Sequence, residues 1–351
     1  MIRQAHIILL TVLLILGSCS GKKDPQTIYA EQASGVVMIL NQCYYTALLP
    51  GGNNIYFSGI DEQKGELANV AFNKQEVKPA AVFGTGFFVG KDGKILTNRH
   101  VVDPVVSKDQ ARQLVGQIIQ KIEAYGRMLQ YQLQQAYQQN EWQLNFADDP
   151  HQAQQLLAQQ QQIEQQFNQA EQILQQLQSV NVSQIGIVPT SKISIAYNNS
   201  KVSGASDFLP CRVLKVSQQE AVDLALVQLQ SGATPRKAHV FSIGNEGRHS
   251  IFGSRQHPLA LDDQVYMIGY NHGPELAVTA QGIKAQFTQG NVSQEPTSDR
   301  VMYSIPALQG SSGSPVVNAW GQLVAVNFAG VGGSQGFNFG IPLKAVQDFL
   351  K

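Results

Sequence analysis

One serine of this chain has the neighbours that a catalytic nucleophile needs. Ser312 lies in the stretch 309–315, where Gly310 and Gly313 flank it and permit a tight backbone turn that side chains would block. Such a turn aims the backbone N–H groups of Gly310 and Ser312 at one point beside the hydroxyl. The stretch therefore predicts a serine nucleophile with an oxyanion hole formed by those two N–H groups.

A serine hydroxyl attacks a carbonyl only when a base takes its proton, and two further residues could complete such a site. His100 follows the β-type run 95–97 just before a loop, and Asp223 precedes the alternating run 224–229. His100 would act as general base and acid, while Asp223 would hold the imidazole tautomer. The order His, Asp, Ser is one of those known for acyl-transfer triads, so the three residues predict hydrolysis by a Ser-His-Asp triad.

Each of these residues alone also has an ordinary structural explanation. A glycine-flanked serine can be a plain turn, a lone histidine is usually structural, and an aspartate before a strand is a common turn residue. The three together, in this order and on β-type flanks, favour the catalytic interpretation. The other histidines show no ligand spacing, so no metal is expected, and no cofactor is implied.

Short β-type runs, separated by glycine and other turn residues, must position the three side chains. They occupy residues 36–106 and return from residue 191 to the end of the chain. Many short strands at such intervals predict a mainly β fold, either a sandwich or a pair of barrels.

Between residues 107 and 178 glutamine is dense, and glycine and proline are almost absent. Apolar residues, among them Tyr125, recur at alternating spacings of three and four, which is typical of coiled-coil helices. Asp149 is a ready N-cap, and Pro150 suits the first position of a second helix. We predict an antiparallel helical hairpin inserted at 107–184. Glutamine-rich disorder is the alternative, although disorder would not keep apolar residues in register.

The N-terminus resembles a secretory signal. Arg3 precedes the apolar run 7–16, which is too short to span a bilayer. A lipobox-like Leu-Gly-Ser then precedes Cys19, so we predict a signal peptide over 1–18, a lipid on Cys19 and a polar tether over 19–35. The protein would then be anchored in a bacterial envelope, at the outer membrane or on the periplasmic face. An ordinary signal peptide, or an uncleaved anchor with a chance cysteine, is the alternative.

The composition argues against several classes of protein. The 351 residues carry 25 Lys+Arg and 25 Asp+Glu, so the net charge is zero, and the basic surface that a nucleic-acid partner requires is missing. Three cysteines are too few for a disulfide scaffold. Besides Cys19 there are Cys43 and Cys211, which could pair in an oxidising envelope or remain buried thiols.

The blocks around the three candidate residues resemble trypsin-like serine proteases of the PA clan, most closely the bacterial HtrA (Deg) branch. The stretches 84–102, 211–229 and 304–317 match the family blocks that carry the base, the acid and the nucleophile. The resemblance implies two six-stranded antiparallel β-barrels, with the α-helical hairpin inserted in the first. It also implies a serine endopeptidase.

The resemblance further implies how the chain is divided. The first lobe would occupy 36–106 and 185–235, interrupted by the hairpin at 107–184, and the second lobe would occupy 236–351. HtrA proteins usually continue into a peptide-binding PDZ domain, and we expect none before the chain ends at Lys351. The hairpin would border the cleft as a gate or docking arm, or serve self-association. Alternatively, its apolar seams only pack on each other, and neither role is required.

Departures from the family predict the specificity. Pro306 stands where trypsin has the aspartate of its specificity pocket, and Asn327 stands where glutamyl endopeptidases have a histidine. Phe328, Ala329 and Gly330 would line the pocket wall. The resemblance therefore implies cleavage after a small or medium apolar residue.

These inferences predict a membrane-anchored serine endopeptidase that acts on peptides or unfolded proteins, with envelope protein quality control as one role. Ser311 replaces the aspartate of zymogen-type relatives, so control by the ordering of loops is expected rather than activation by N-terminal trimming. The alternative is a catalytically silent protease fold that binds peptides or partner proteins through the helical insertion.

Overall fold

The computed structural model describes residues 21–104, 106–219, 221–244, 256–330 and 337–351. The predicted signal peptide and the predicted lipidation site, Cys19, lie outside the described residues. The chain forms two compact units. Unit 1 contains Met1–Gln42, Ala81–Pro104 and Ser191–Lys351, and unit 2 contains Cys43–Ala80 and Val105–Thr190.

The fold is mainly β, as predicted, with a helical insertion. The strands are β1 (Val36–Leu48), β2 (Ile55–Phe57), β3 (Gly59–Asp61), β4 (Glu66–Ala68), β5 (Ala80–Phe88), β6 (Lys94–Thr97), β7 (Gly186–Tyr197), β8 (Leu209–Val216), β9 (Ala225–Leu229), β10 (Gln264–Gly269), β11 (Val278–Thr279), β12 (Gly282–Ile283), β13 (Gln286–Asn291), β14 (Val301–Tyr303), β15 (Pro315–Asn318), β16 (Leu323–Gly330) and β17 (Asn338–Pro342). The helices are α1 (Pro25–Gln32), α2 (Arg99–Val102), α3 (Lys108–Asn145), α4 (Pro150–Gln178), α5 (Pro274–Ala277) and α6 (Leu343–Leu350). Within the described ranges, no helix has the length and apolar character needed to cross a bilayer.

Six strands form a closed antiparallel barrel in the order β1-β5-β6-β9-β8-β7, which the pairing of β7 with β1 completes. Successive side chains of a strand point to opposite faces, so β1 contributes to two apolar clusters. Val37 and Ile39 belong to one cluster, and Val36 and Met38 belong to the other. The hairpin between β5 and β6 turns at Gly93, whose φ of +77° favours glycine.

The second sheet of unit 1 has six antiparallel strands in the order β13-β10-β15-β16-β17-β14. The same alternation applies, because Val265 and Met267 of β10 pack in one apolar cluster while Tyr266 and Ile268 pack in another. An isolated bridge links Val292 to β14. The sheet is a half-barrel, whereas we had expected a second closed cylinder.

The N-terminal segment differs from the prediction, because residues 25–35 are not a free tether. Asp24 caps α1 by accepting from the N–H of Gln26 at 3.0 Å, and Pro25 is its first residue. Ile28 is fully buried in the main apolar cluster. The Tyr29 hydroxyl and the Gln32 amide also donate to the carbonyls of Ala285 and Gly321. The tether prediction for 19–35 is therefore wrong from Pro25 onward, where a capped short helix packs within unit 1.

Unit 2 contains the predicted hairpin as α3 and α4. Asn140 of α3 bonds to Gln159 of α4 at 3.1 Å, and Gly126 lies against Leu174. In these two contacts the residue number rises along α3 while it falls along α4, so the two helices are antiparallel. Asp149 caps α4, and Pro150 is its first residue, as predicted.

The apolar seam of α3 departs from the prediction at Tyr125, whose side chain is 62% exposed. The next residue, Gly126, faces the partner helix instead, and a Cβ there would lie 2.9 Å from Leu174 Cδ2. An α-helix has 3.6 residues per turn rather than 3.5, so the contact line of a straight helix drifts over several turns.

The base of the insertion shares a core with neighbouring strands of unit 2. Ala111 and Val115 of α3 are buried in one apolar cluster with Tyr45 of β1 and Phe57 of β2. Residues 43–80, which we assigned to the first lobe, therefore pack with the insertion.

Candidate active site

Strand pairing brings His100 and Asp223 together, although they are 123 positions apart in the chain. β6 pairs antiparallel with β9, and Thr97 stands opposite Ala225. His100 lies just beyond Thr97 in α2, and Asp223 lies just before Ala225. Because the two strands run in opposite directions, both residues emerge at the same end of the barrel.

The Asp223 carboxylate holds His100 through two atoms. Asp223 Oδ2 lies 2.5 Å from His100 Nδ1, and Asp223 Oδ1 accepts from the backbone N–H of His100 at 3.0 Å. Asn98 donates to the Asp223 carbonyl at 2.8 Å, so the backbone of the aspartate is also fixed. With its proton on Nδ1, the imidazole has a free lone pair on Nε2, the form that a general base requires.

The predicted nucleophile lies in a tight turn between β14 and β15. Ser311 N–H donates to the Leu308 carbonyl at 2.9 Å, and Ser314 N–H donates to the Ser311 carbonyl at 3.0 Å. Gly310 and Gly313 have φ values of +95° and +87°. A side chain at Gly310 would also place its Cβ 2.7 Å from a backbone nitrogen, so the turn requires glycine there on two grounds.

Two peptide planes of the turn are held by their carbonyl oxygens. The Gln309 carbonyl accepts from the N–H of His272 at 2.6 Å, and the Ser311 carbonyl accepts from Asn327 Nδ2 at 3.1 Å. In a trans peptide the next N–H points the opposite way. Neither Gly310 N–H nor Ser312 N–H donates to any group among the described residues, so both can receive an oxyanion.

Thr85 of β5 joins this turn to the first barrel, and we had not predicted it as a site residue. Its N–H donates to the Ser312 carbonyl at 2.8 Å, and its hydroxyl donates to the Gly310 carbonyl at 2.8 Å. The same hydroxyl accepts from Tyr270 N–H at 3.0 Å, and Thr97 donates to the Thr85 carbonyl at 2.7 Å. A threonine between two glycines on a strand was the only sequence signal for this role.

The turn that carries Ser312 lies next to the segment that leads into His100. A Cβ on Gly313 would lie 3.2 Å from the backbone nitrogen of Asn98, two residues before His100. Among the residues that the structure describes, no hydrogen bond joins the Ser312 hydroxyl to His100. Catalytic hydrogen bonds are often long in a substrate-free site and shorten when substrate binds.

The predicted pocket residues lie in different surroundings. Pro306 is exposed, and the Phe328 ring lies 6.4 Å from that of Phe339. The backbones of Ala329 and Gly330 pair with β17. Their place in a substrate pocket stays a prediction.

Asn327, also predicted to line that pocket, is only 2% exposed. Its amide bonds to Ser311 and to Tyr303, beneath the nucleophile turn. This position supports the turn from within the core.

A cavity of about 370 Å³ adjoins the nucleophile turn at Gln309 and Gly310. It is large enough for one or two side chains of a bound peptide, and the sequence carried no signal for it. Its lining residues are Ala81, Phe83, His272, Gly273, Pro274, Glu275, Gln309 and Gly310.

Outside this site the described residues offer little other chemistry. They contain no group of three or more His, Cys, Asp or Glu side chains placed to hold a metal ion. Cys43 and Cys211 are both free thiols, and burial raises the pKa of Cys211 to about 12. The thiol form therefore dominates at neutral pH.

Comparisons with known proteins found a family and solved structures to which this chain is similar. The family described as "Trypsin-like peptidase domain" matches residues 173–326, and no protein of curated function matches the chain. A solved structure of the serine endoprotease from Yersinia pestis is similar over 93% of this chain, with 14% sequence identity and a TM-score of 0.45. This chain spans 65% of that protein's length. The fold is trypsin-like, and the matched family region includes Asp223 and Ser312 but not His100.

Proposed function

We propose that this protein is a serine endopeptidase in which Ser312 is the nucleophile, His100 the general base and acid, and Asp223 the residue that orients the imidazole. One observation carries the proposal. The Asp223 carboxylate binds both Nδ1 and the backbone N–H of His100, next to a turn whose Gly310 and Ser312 N–H groups have no partner among the described residues.

The mechanism follows from these positions. Ser312 Oγ attacks the carbonyl carbon of the peptide bond while His100 Nε2 takes its proton. The negative oxygen of the tetrahedral intermediate accepts from the N–H groups of Gly310 and Ser312. The protonated His100 then donates to the leaving amine, and water hydrolyses the acyl-enzyme by the reverse sequence of proton transfers.

The substrate is proposed to carry a small or medium apolar residue before the scissile bond. Pro306 and Phe328 offer no charge that could pair with a basic or acidic side chain. A peptide library digested by the protein should show such residues at that position. Dominance of Lys, Arg or Glu there would contradict this specificity.

The enzyme is further proposed to be lipid-anchored through Cys19 in a bacterial envelope, where it acts on unfolded proteins. Lys23 N–H donates to the Ala319 carbonyl at 2.8 Å, so the folded part begins close to the proposed anchor. The few residues between Cys19 and Lys23 span at most about 14 Å. The anchor would hold the active unit against the membrane surface.

A fluorophosphonate probe tests the assignment, because it labels only an activated serine. The wild type should be labelled and should hydrolyse peptides, Ser312→Ala should do neither, and Asp223→Asn should be labelled far more slowly. The absent bond between Ser312 and His100 favours the rival function, a silent fold that binds peptides. An unlabelled, inactive wild type would support that rival.

A further inference from the structure

We propose that Asn327 is a positioning residue, which holds the Ser312 N–H group in the orientation that binds the oxyanion. This inference rests on the proposed peptidase function. It assigns Asn327 a role in the chemistry, without contact to the substrate, that differs from lining the specificity pocket.

Asn327 makes an unusually complete set of bonds to the nucleophile turn. Its backbone N–H donates to the Ser314 carbonyl at 2.9 Å, and its carbonyl accepts from Gly313 N–H at 2.8 Å. Its side-chain Nδ2 donates to the Ser311 carbonyl at 3.1 Å and to Ser311 Oγ at 3.2 Å. The side chain therefore holds the one carbonyl whose peptide plane carries the Ser312 N–H.

The direction of these hydrogen bonds is determined by the groups involved. The Ser311 carbonyl can only accept, so the amide must present its nitrogen to it. Its oxygen then accepts from the Tyr303 hydroxyl at 2.8 Å. Ser311 Oγ donates to the Leu308 carbonyl at 2.7 Å, and so accepts from Asn327. These hydrogen bonds therefore all run in one direction. Tyr303 donates to Asn327, Asn327 donates to Ser311, and Ser311 donates to Leu308.

Burial makes the chain rigid. Tyr303 is fully buried, and burial raises the pKa of its hydroxyl, which stays a donor at any working pH. Asn327 also lies at an irregularity in the pairing of β16 with β17, between Asn327 and Ala329, a device that commonly re-aims a side chain.

The consequence for catalysis follows from peptide planarity. Rotating the Ser311–Ser312 peptide would turn the Ser312 N–H away from the oxyanion, and it would also pull the Ser311 carbonyl off Asn327. The bond to Asn327 therefore stabilises the competent orientation before substrate arrives. Such preorganisation acts on the transition state and hardly at all on substrate binding.

The main test is Asn327→Asp, with kcat and KM measured on a peptide substrate from pH 5 to pH 9. A carboxylate keeps the acceptor for Tyr303 but cannot donate to the Ser311 carbonyl, whereas a protonated carboxyl can. We expect kcat relative to the wild type to fall as the pH rises, by about 10- to 1,000-fold at pH 9, with KM within about twofold.

Two further variants keep the test decisive if Asn327→Asp is unstable. Tyr303→Phe removes only the hydroxyl that orients the amide, and it should lower kcat severalfold with unchanged KM. Tyr266→Phe is the matched control, because Tyr266 lies in the same sheet, is almost fully buried and stacks on Phe287. Its kcat should match that of the wild type.

Three results would overturn the inference. Two concern Asn327→Asp: a kcat within threefold of the wild type at pH 9, or an equal loss of kcat at every pH. A Tyr303→Phe enzyme no slower than Tyr266→Phe would also overturn it. An inactive, unlabelled wild type would instead refute the peptidase function, so the two failures are distinguishable.

Discussion

Replacing Thr85 with valine should separate the hydrogen bonds of the nucleophile turn from its packing. Thr85 is fully buried, and valine has nearly its shape, so the change removes little except the hydroxyl. The Gly310 carbonyl then loses its donor at 2.8 Å, and the Tyr270 N–H loses its acceptor at 3.0 Å. Both backbone groups are buried, so water cannot easily replace the lost partner.

The magnitude follows from these two groups. A buried polar group without a partner costs about 1–3 kcal/mol, so losing both partners in Thr85→Val should lower the free energy of unfolding of unit 1 by roughly 2–6 kcal/mol. The hydroxyl is one of the contacts that hold the turn, so kcat should also fall, by about tenfold or more. KM should change little, because Thr85 does not face the substrate.

The assay is urea denaturation, with tryptophan fluorescence as the measure of unfolding. In a Trp142→Phe background, Trp320 reports on unit 1 alone. Thr288→Val is the matched control, since the Thr288 hydroxyl is buried and has no partner among the described residues. Thr288→Val should be neutral or stabilising. If Thr85→Val is no less stable than Thr288→Val, the hydroxyl does not hold the turn and the reasoning fails.

Four further substitutions or treatments probe other parts of the molecule. Gly313→Ala should abolish hydrolysis and lower the melting temperature, because a Cβ would lie 2.5 Å from Thr97 Oγ1; an active, stable variant would contradict this geometry. With a pKa of about 12, Cys211 has a thiolate fraction at pH 8 roughly a thousandth that of an ordinary cysteine. Iodoacetamide should therefore modify it slowly, and faster as the pH rises, whereas rapid modification at pH 8 in peptide mapping would contradict the raised pKa. Asn140→Leu should stabilise unit 2 by about 1 kcal/mol in a thermal melt, since it removes a buried amide oxygen that has no partner among the described residues; a destabilised hairpin would show that the amide bond matters more. Deleting 127–172 should leave peptide hydrolysis unchanged, because the base of the hairpin keeps its core. A changed rate of hydrolysis would indicate a gate or docking arm, and a drop from an oligomeric to a monomeric mass in gel filtration would indicate self-association.

Local signals predicted the helices well where they were applied. Asp149 and Pro150 predicted the start of α4, and the structure confirms it. Asp24 and Pro25 form the same cap and start α1, yet we predicted a tether there. The cap signal was equally strong at both places. The difference is that α1 buries one main apolar residue, Ile28, so it shows no periodic apolar face.

The residue types at the candidate site were visible in the sequence, but two groups that hold the nucleophile turn, Thr85 and Asn327, were not recognised in that role. The spacing of Gly310 and Gly313 predicts a tight turn from the local sequence alone. No local pattern predicts the roles of Thr85 and Asn327, because those roles depend on partners that only the fold brings near. Thr85 is 225 positions from the Gly310 carbonyl that it holds, and a local sequence pattern cannot predict a contact at that separation.

The second sheet and the unit boundary show the same limit. Alternation along β10 predicts which side chains share a face of the sheet, but it does not predict whether the sheet closes. At the base of α3, Ala111 and Val115 pack in one apolar cluster with residues of β1 and β2. Neither residue belongs to the predicted seam, and a heptad pattern does not show which other element covers such residues, so the insertion looked separable in sequence.

Among the described residues, the groups that hold the nucleophile turn are all uncharged. Its carbonyls accept from Thr85, His272 N–H and Asn327, and the N–H groups of Ser311, Gly313 and Ser314 donate to backbone oxygens. A neutral hydrogen bond contributes about 1 kcal/mol, so no single one can hold the turn as one buried ion pair could. The orientation of the proposed oxyanion-binding N–H groups must then come from several weak hydrogen bonds to different strands acting together. Breaking or forming any one of these bonds would change how well the turn is ordered.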